Sequence, residues 1–180
     1  QNGDLYVNNN NLYLHGTLVA KNIPSTLGLD ASTLGQPPSG MYGFSSWYSY
    51  WPFDNRGWGG VDQKGSADLY ESVATSSDGS LAAFVYSRES EGDDGKQSFD
   101  HAWIIVSSAQ GLIDTYSIDS IDASTPDFIY IAHVDQSQVL FSVGNFKGCY
   151  NILYKLTIPG NQLVNLGEDP KDADCDNSGF

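Results

Sequence analysis

The chain has 180 residues, a length that favours one domain with a substantial core. Charged residues make up only 17% of it, and 8 lysines and arginines against 22 aspartates and glutamates give a formal net charge of −14. Such an acidic surface repels phosphate backbones and anionic lipids, which argues against binding to nucleic acid or to a membrane surface. The charge is compatible with cations, calcium above all, and equally with a role in solubility alone.

Two contrasting segments open the chain. Residues 4–22 (DLYVNNNNLYLHGTLVAKN) contain three short apolar alternations separated by asparagines and by His15-Gly16. These separators tolerate the left-handed conformations of hairpin turns, so we predict three short strands. Residues 23–39 contain three prolines, which exclude a regular central strand, and we expect a loop with one helical turn near residues 29–34.

Residues 41–60 (MYGFSSWYSYWPFDNRGWGG) are the most aromatic part of the chain. One interpretation makes these rings the core of a sheet, because aromatic side chains gain much from burial. The other makes them an exposed platform that stacks on sugars or on other flat apolar faces. The candidate ligand-binding residues in this segment are Tyr42, Trp47, Tyr48, Tyr50, Trp51 and Trp58.

Residues 75–118 form the clearest unit, with an Asp-Gly turn, an apolar run, an acidic stretch, a second apolar run and a short third run. In the first run Leu81, Ala83 and Val85 alternate with residues that are also apolar, which predicts an inner strand covered on both faces. Residues 102–106 show the same pattern. The acidic stretch 88–101 is predicted to be a long exposed hairpin loop, and a solvated loop explains its carboxylates better than a calcium site does.

Similar units recur later, with predicted strands at residues 128–132, 139–143, 150–156 and 163–166. The apolar centres Trp103 and Ile152 lie 49 positions apart, and Leu12 and Trp103 lie 91 apart, close to twice that spacing. This is the spacing of propeller blades and predicts a poorly patterned blade within the aromatic segment. We therefore expect one all-β domain over residues 1–180, built of antiparallel propeller-like sheets and ending in an acidic tail from about residue 168. A β-sandwich is the alternative fold.

Two segments, SSDGSLAAFVYSRE with HAWIIVSSAQGLI and VDQSQVLFSVGNFKGCYNILYKLTIPGNQLVNLGED, resemble the TolB-like or WD40-like β-propeller repeat. The chain departs from the repeat pattern in having Gln136 where glycine is usual. The resemblance implies a scaffold for protein interaction or ligand binding, with no general catalytic residues. Familiar members close with six or more blades, so it also implies a small propeller, a fragment, or a subunit of a larger extracellular assembly.

The cysteines Cys149 and Cys175 are 26 positions apart. An even, low count fits one disulfide that ties the C-terminal tail to a strand, which implies an oxidising compartment. Two free thiols in a cytosolic protein are the alternative. The N-terminal glutamine fits a processed chain, and secretion is the predicted localisation.

The tail KDADCDNSGF places Asp172, Asp174 and Asp176 at alternate positions. Carboxylates at this spacing suit calcium, and the pattern resembles the start of a dockerin-like or thrombospondin-like calcium loop. Calcium is accordingly the one cofactor that we predict. A frayed acidic tail is the alternative interpretation.

No catalytic residues are assigned. His15, His101 and His133 lack zinc-site spacing, and no nucleophile elbow is present. We expect a secreted, non-enzymatic protein that contacts carbohydrate or a protein surface through its aromatic segment, or that self-assembles. The alternative is a polysaccharide-active hydrolase or lyase, with acidic residues drawn from those beside apolar strands, which are Glu71, Glu89 and Glu91.

Overall fold

The computed structural model describes residues 5–8, 10–30, 42–43, 66–91, 97–121, 128–145 and 150–168. The all-β prediction is confirmed, because these residues form antiparallel sheets with very little helix. The strands are β1 (Leu5–Asn8), β2 (Asn11–Leu14), β3 (Thr17–Ala20), β4 (Tyr42–Gly43), β5 (Ser66–Thr75), β6 (Leu81–Glu91), β7 (Gln97–Ser108), β8 (Gly111–Ser117), β9 (Phe128–Val134), β10 (Gln138–Asn145), β11 (Tyr150–Thr157) and β12 (Leu163–Glu168). A short helix α1 (Ile23–Thr26) and a 3₁₀ helix (Ile118–Ser120) complete the described elements, and none of these helices is long and apolar enough to cross a membrane.

The described strands form three sheets of four strands each. The first sheet has the order β3-β2-β1-β4, the central sheet β5-β6-β7-β8, and the third sheet β12-β11-β10-β9. Short turns join most neighbouring strands, which explains why chain order and spatial order nearly coincide.

The central sheet lies between the other two, and both of its faces are apolar. Val85, Ile104 and their neighbours meet the third sheet in one buried cluster. Phe84, Ile105 and their neighbours meet the first sheet in another, which shares no buried residue with the first cluster. The prediction that the first apolar run is an inner strand covered on both faces is thus confirmed.

The acidic stretch is mostly strand, so the prediction of a long exposed loop over residues 88–101 is wrong. Arg88 pairs with His101, and the ladder between β6 and β7 continues as far as Glu91 and Gln97. Arg88 is buried despite its charge. The polar composition suggested a loop, but these residues pair as strands. A sheet ladder satisfies the backbone N–H and C=O groups of polar and apolar residues alike.

The spacing argument for an extra blade is also wrong, because the first and central sheets pack directly on each other. Leu12, Trp103 and Ile152 all lie on the third strands of their sheets, when the first sheet is counted from β4. The three sheets pack face to face as a stack. The 91 positions between Leu12 and Trp103 therefore separate two neighbouring sheets of this stack, with no further sheet between them. Closure of the sheets into a propeller stays a prediction.

A short helix that the sequence did not predict forms at Ile23–Thr26, whereas the turn predicted near residues 29–34 lies mostly outside the described residues. The side chain of Asn22 accepts a hydrogen bond from the Ser25 N–H at 3.2 Å and caps the helix, and Pro24 occupies the first turn, where no N–H is needed. Ile23 is fully buried against the central sheet. Burial of the Ile23 side chain and the Asn22 cap together stabilise this helix, although the local sequence shows no helical pattern.

Candidate functional site

Hairpin turns from all three sheets meet at one end of the stack, which we call the turn end. The His15 ring donates to the Gly79 carbonyl from the first sheet to the central one, with Nε2 and oxygen 3.1 Å apart. The Gln136 amide donates to the Ser80 hydroxyl from the third sheet to the central one at 2.9 Å. Gln136, where the propeller repeat usually has glycine, therefore joins two sheets.

Two aspartates organise the turns at this end. Asp78 accepts hydrogen bonds from the Ser76 hydroxyl at 2.7 Å and from the N–H and hydroxyl of Ser80, and these bonds lower its pKa to about 2. Asp135 accepts from the N–H and hydroxyl of Ser137, both at 2.8 Å, and its pKa falls well below the usual range for the same reason. Because these carboxylates already accept hydrogen bonds from the turn residues, we assign both aspartates a structural role.

The opposite end of the central sheet carries a row of rings on the face that meets the first sheet. The ring centroids of Tyr70 and Tyr86 are 5.1 Å apart, those of Tyr86 and Trp103 5.8 Å, and those of Trp103 and His101 5.6 Å. Tyr70 and Tyr86 are buried, Trp103 is partly buried and His101 is exposed. The row therefore runs from the core into solvent.

The strands of the first sheet are shorter than those of the central sheet, which explains why this row of rings reaches solvent. Strands β1, β2 and β3 of the first sheet have 4 residues each, whereas β7 has 12. The first sheet therefore covers only part of the central one. The Tyr70 hydroxyl donates to the Asn10 side chain at 2.6 Å, which anchors the β1–β2 turn against the buried end of the row.

A carboxylate stands beside the exposed end of the row. Nδ1 of His101 lies 2.8 Å from Oδ2 of Asp119, and the two side chains are 46% and 47% exposed. Strand pairing produces this contact, because Trp103 is opposite Ser117 and the 3₁₀ helix with Asp119 follows directly. The pair can accept and donate hydrogen bonds next to an aromatic face, and we call Trp103, His101 and Asp119 the ring site.

The chain has a second histidine-aspartate pair that provides a comparison. His133 lies 3.2 Å from Asp135 at the turn end, and these side chains are 50% and 38% exposed. None of the described ring contacts involves His133, and Asp135 is committed to its turn. The ring site thus differs from its counterpart in combining a polar pair with an aromatic row.

The residues proposed from the sequence lie largely outside the described part of the chain. Only the backbone of Tyr42 is described, and it pairs with Val7 at the edge of the first sheet. Outside the described residues fall Trp47, Tyr48, Tyr50, Trp51, Trp58, Cys149, Cys175, Asp172, Asp174 and Asp176. The side chains of Glu71, Glu89 and Glu91 are likewise not described, so the carboxylate pair of the hydrolase alternative and the calcium site stay predictions.

Sequence reasoning missed the ring site. From the sequence, His101 was considered only as a zinc ligand and set aside for lack of the spacing, and neither Trp103 nor Asp119 was a candidate. The available signal was the His-x-Trp spacing, which puts both rings on one face of a strand. In the described part of the chain, no three histidine, cysteine, aspartate or glutamate residues group together as metal ligands.

Comparison of the sequence with protein-family models finds no matching family, and comparisons with curated proteins and with solved structures find no match. The likeness to a propeller repeat therefore stays a prediction, and the functional interpretation depends on the geometry of this chain alone.

Proposed function

We propose that this protein is a secreted, non-enzymatic carbohydrate-binding protein that contacts neutral sugars through the ring site. The observation that supports this most strongly is the row of rings that reaches solvent beside the His101–Asp119 pair. A sugar has apolar C–H faces and polar hydroxyl edges, so it needs an aromatic surface next to hydrogen-bonding groups.

Each of the three side chains has a different role in the proposed sugar binding. The indole of Trp103 offers an apolar surface that packs beside Tyr86, its partner on the neighbouring strand. Asp119 accepts hydrogen bonds from sugar hydroxyls, which are strengthened because the acceptor is charged. His101 holds this carboxylate in position through Nδ1 and can use Nε2 toward a neighbouring hydroxyl.

The charge of the chain favours a neutral ligand. A formal net charge of −14 repels sulfated or uronic-acid polymers at long range but leaves uncharged sugars unaffected. Contact with a protein surface is the alternative partner.

Titration with a panel of neutral oligosaccharides tests the proposal, with calorimetry as the readout and tryptophan fluorescence as a second signal. We expect Asp119→Asn and Trp103→Leu each to weaken binding about tenfold or more, the loss that corresponds to about one hydrogen bond or one stacking contact. His133→Gln is the matched control, because it disrupts the other histidine-aspartate pair at the turn end.

Two results would contradict the proposal. One is an equal loss of affinity in Asp119→Asn and His133→Gln, which would indicate a general effect on the fold. The other is the release of shorter sugars during prolonged incubation, which would favour the hydrolase or lyase alternative. Binding to a protein without binding to any sugar would shift the proposal to its alternative partner.

A further inference from the structure

His101 lies between two oppositely charged residues on the face of the central sheet that meets the first sheet. On one side, its Nδ1 atom is 2.8 Å from Oδ2 of Asp119. On the other side, its direct partner across the β6–β7 ladder is Arg88, which is buried. Directly paired residues point to the same face, so Arg88 shares the face that carries the row of rings. Histidine is the side chain that gains or loses a proton between about pH 5 and 8, so the charge of this line of residues depends on pH.

No further charged side chain among the described residues faces His101. From β5, the register places Asp68 opposite Arg88, one strand farther from the imidazole. From β8, Asp114 pairs with a residue of the cluster at the third sheet, so it points to the opposite face. The residues that the first sheet contributes to its buried cluster are all apolar. The imidazole therefore has two charged neighbours, Asp119 and Arg88.

With a neutral imidazole, the ring site offers a sugar two hydrogen-bond acceptors and an apolar surface. The Nδ1–H group of His101 donates to Asp119, which fixes the tautomer and leaves the lone pair of Nε2 for an incoming hydroxyl. Asp119 keeps its full negative charge and a second oxygen, Oδ1, for another hydroxyl. The hydrogen bonds of the described residues occupy neither Nε2 of His101 nor Oδ1 of Asp119. Both acceptors, and the indole of Trp103 beside them, are therefore open to a ligand.

A second proton on His101 changes the site in two ways that oppose sugar binding. The imidazolium forms an ion pair with Asp119, so the carboxylate attracts sugar hydroxyls less strongly. The ring centroids of His101 and Trp103 are 5.6 Å apart, within the distance at which a cation is attracted to an indole, so the imidazolium competes with a sugar for that ring. Nε2 changes from an acceptor to a donor, which a sugar hydroxyl can still use. The protonated site therefore binds a neutral sugar more weakly than the neutral site does.

We infer that protonation of His101 regulates the ring site, which binds sugar at neutral pH and releases it in acid; this depends on the sugar binding proposed above. A neutral sugar has no group that titrates between pH 5 and 8, so a pH dependence in this range comes from the protein. By linkage, bound sugar favours the neutral imidazole by the same factor by which the proton weakens binding. The turn at Asp78 is intact at pH 5, because its carboxylate, whose pKa is lowered to about 2, loses its contribution to stability only below about pH 4.

Calorimetric titration at about pH 8 and about pH 5 tests the inference, with the uncharged cellohexaose, xylohexaose and N-acetylchitohexaose as probes. We expect the wild type to bind about fivefold more weakly at the lower pH, the difference between a hydrogen bond to a charged acceptor and one to a neutral acceptor. His101→Gln, whatever its affinity, should bind equally at both pH values. His133→Gln is the matched control, because it removes the other histidine that is paired with an aspartate, and it should keep the pH dependence of the wild type.

An NMR titration of His101 gives a second readout, in which a saturating amount of the sugar that binds should move the protonation of His101 to lower pH. Equal affinity of the wild type at both pH values would overturn the inference and leave the proposed function intact. So would a pH dependence that persists in His101→Gln, or a titration of His101 that the sugar leaves unchanged. Absence of binding at both pH values would instead contradict the proposed function, and the inference with it.

Discussion

The side chain of Ser72 joins the central sheet to the third sheet through a single hydrogen bond. Its hydroxyl oxygen accepts the backbone N–H of Ile131 at 2.7 Å, and Ser72 is buried. Both strands are irregular at this point, since Ser72 has φ 48° at a bulge in β5 and the register of β9 shifts near Ile131. The bulge in β9 leaves the Ile131 N–H available to a group outside its own sheet, and the bulge in β5 brings the Ser72 hydroxyl to it.

We expect Ser72→Ala to lower the free energy of unfolding by about 1 to 3 kcal/mol, because it leaves the buried N–H of Ile131 without its acceptor. Urea denaturation measures the change. Ser25→Ala is the control, since Ser25 is exposed on α1 and its substitution should stay within about 0.5 kcal/mol of the wild type. Equal effects of the two substitutions would show that the bond between the sheets is energetically unimportant.

The pKa of Asp78 predicts a loss of stability in acid. Its folded-state pKa of about 2 lies below the unfolded value near 4, so its contribution is fully present above about pH 4 and is lost as the pH falls toward 2. In Asp78→Asn this contribution is absent at every pH. We therefore expect the difference in melting temperature between wild type and variant to be constant above pH 5 and to shrink on acidification. A difference that is independent of pH down to 2 would contradict the assignment.

The two buried clusters predict regional effects of core substitutions. Phe84 and Phe141 are both fully buried, but Phe84 belongs to the cluster with the first sheet and Phe141 to the cluster with the third. Truncation of either to alanine should cost about 3 to 5 kcal/mol. Hydrogen exchange should quicken mainly in β1 and β2 for Phe84→Ala and mainly in β10 and β11 for Phe141→Ala. Identical exchange patterns would mean that the stack unfolds as one unit.

The disulfide predicted between Cys149 and Cys175 can be tested without a structure. Thiol titration of the denatured protein should find no free thiol before reduction and two after it. If the bond forms, reduction should lower the melting temperature, because a cross-link restricts the unfolded chain. Two free thiols before reduction would remove the main support for a secreted protein.

The strands could be predicted well from the sequence wherever apolar residues alternate next to a turn. The Asp78-Gly79 turn and the apolar run from Leu81 to Tyr86 predict a strand that is covered on both faces, and the structure contains this strand. The acidic stretch after Arg88 was misjudged, because composition says little about which segments have a pairing partner. The extra blade was misjudged because a spacing in sequence does not show which sheets pack on each other.

The local pattern of the sequence by itself determined the all-β class, most of the strands and the turns with their capping aspartates, because alternation and turn chemistry act over a few residues. Only the tertiary structure decided which sheets meet and which side chains share a site. His101 and Asp119 are separated by a whole hairpin in sequence, and their contact depends on the register of β7 and β8. The bond from Ser72 to Ile131 depends likewise on the packing of two sheets, since no local pattern encodes the distance between residues on different sheets.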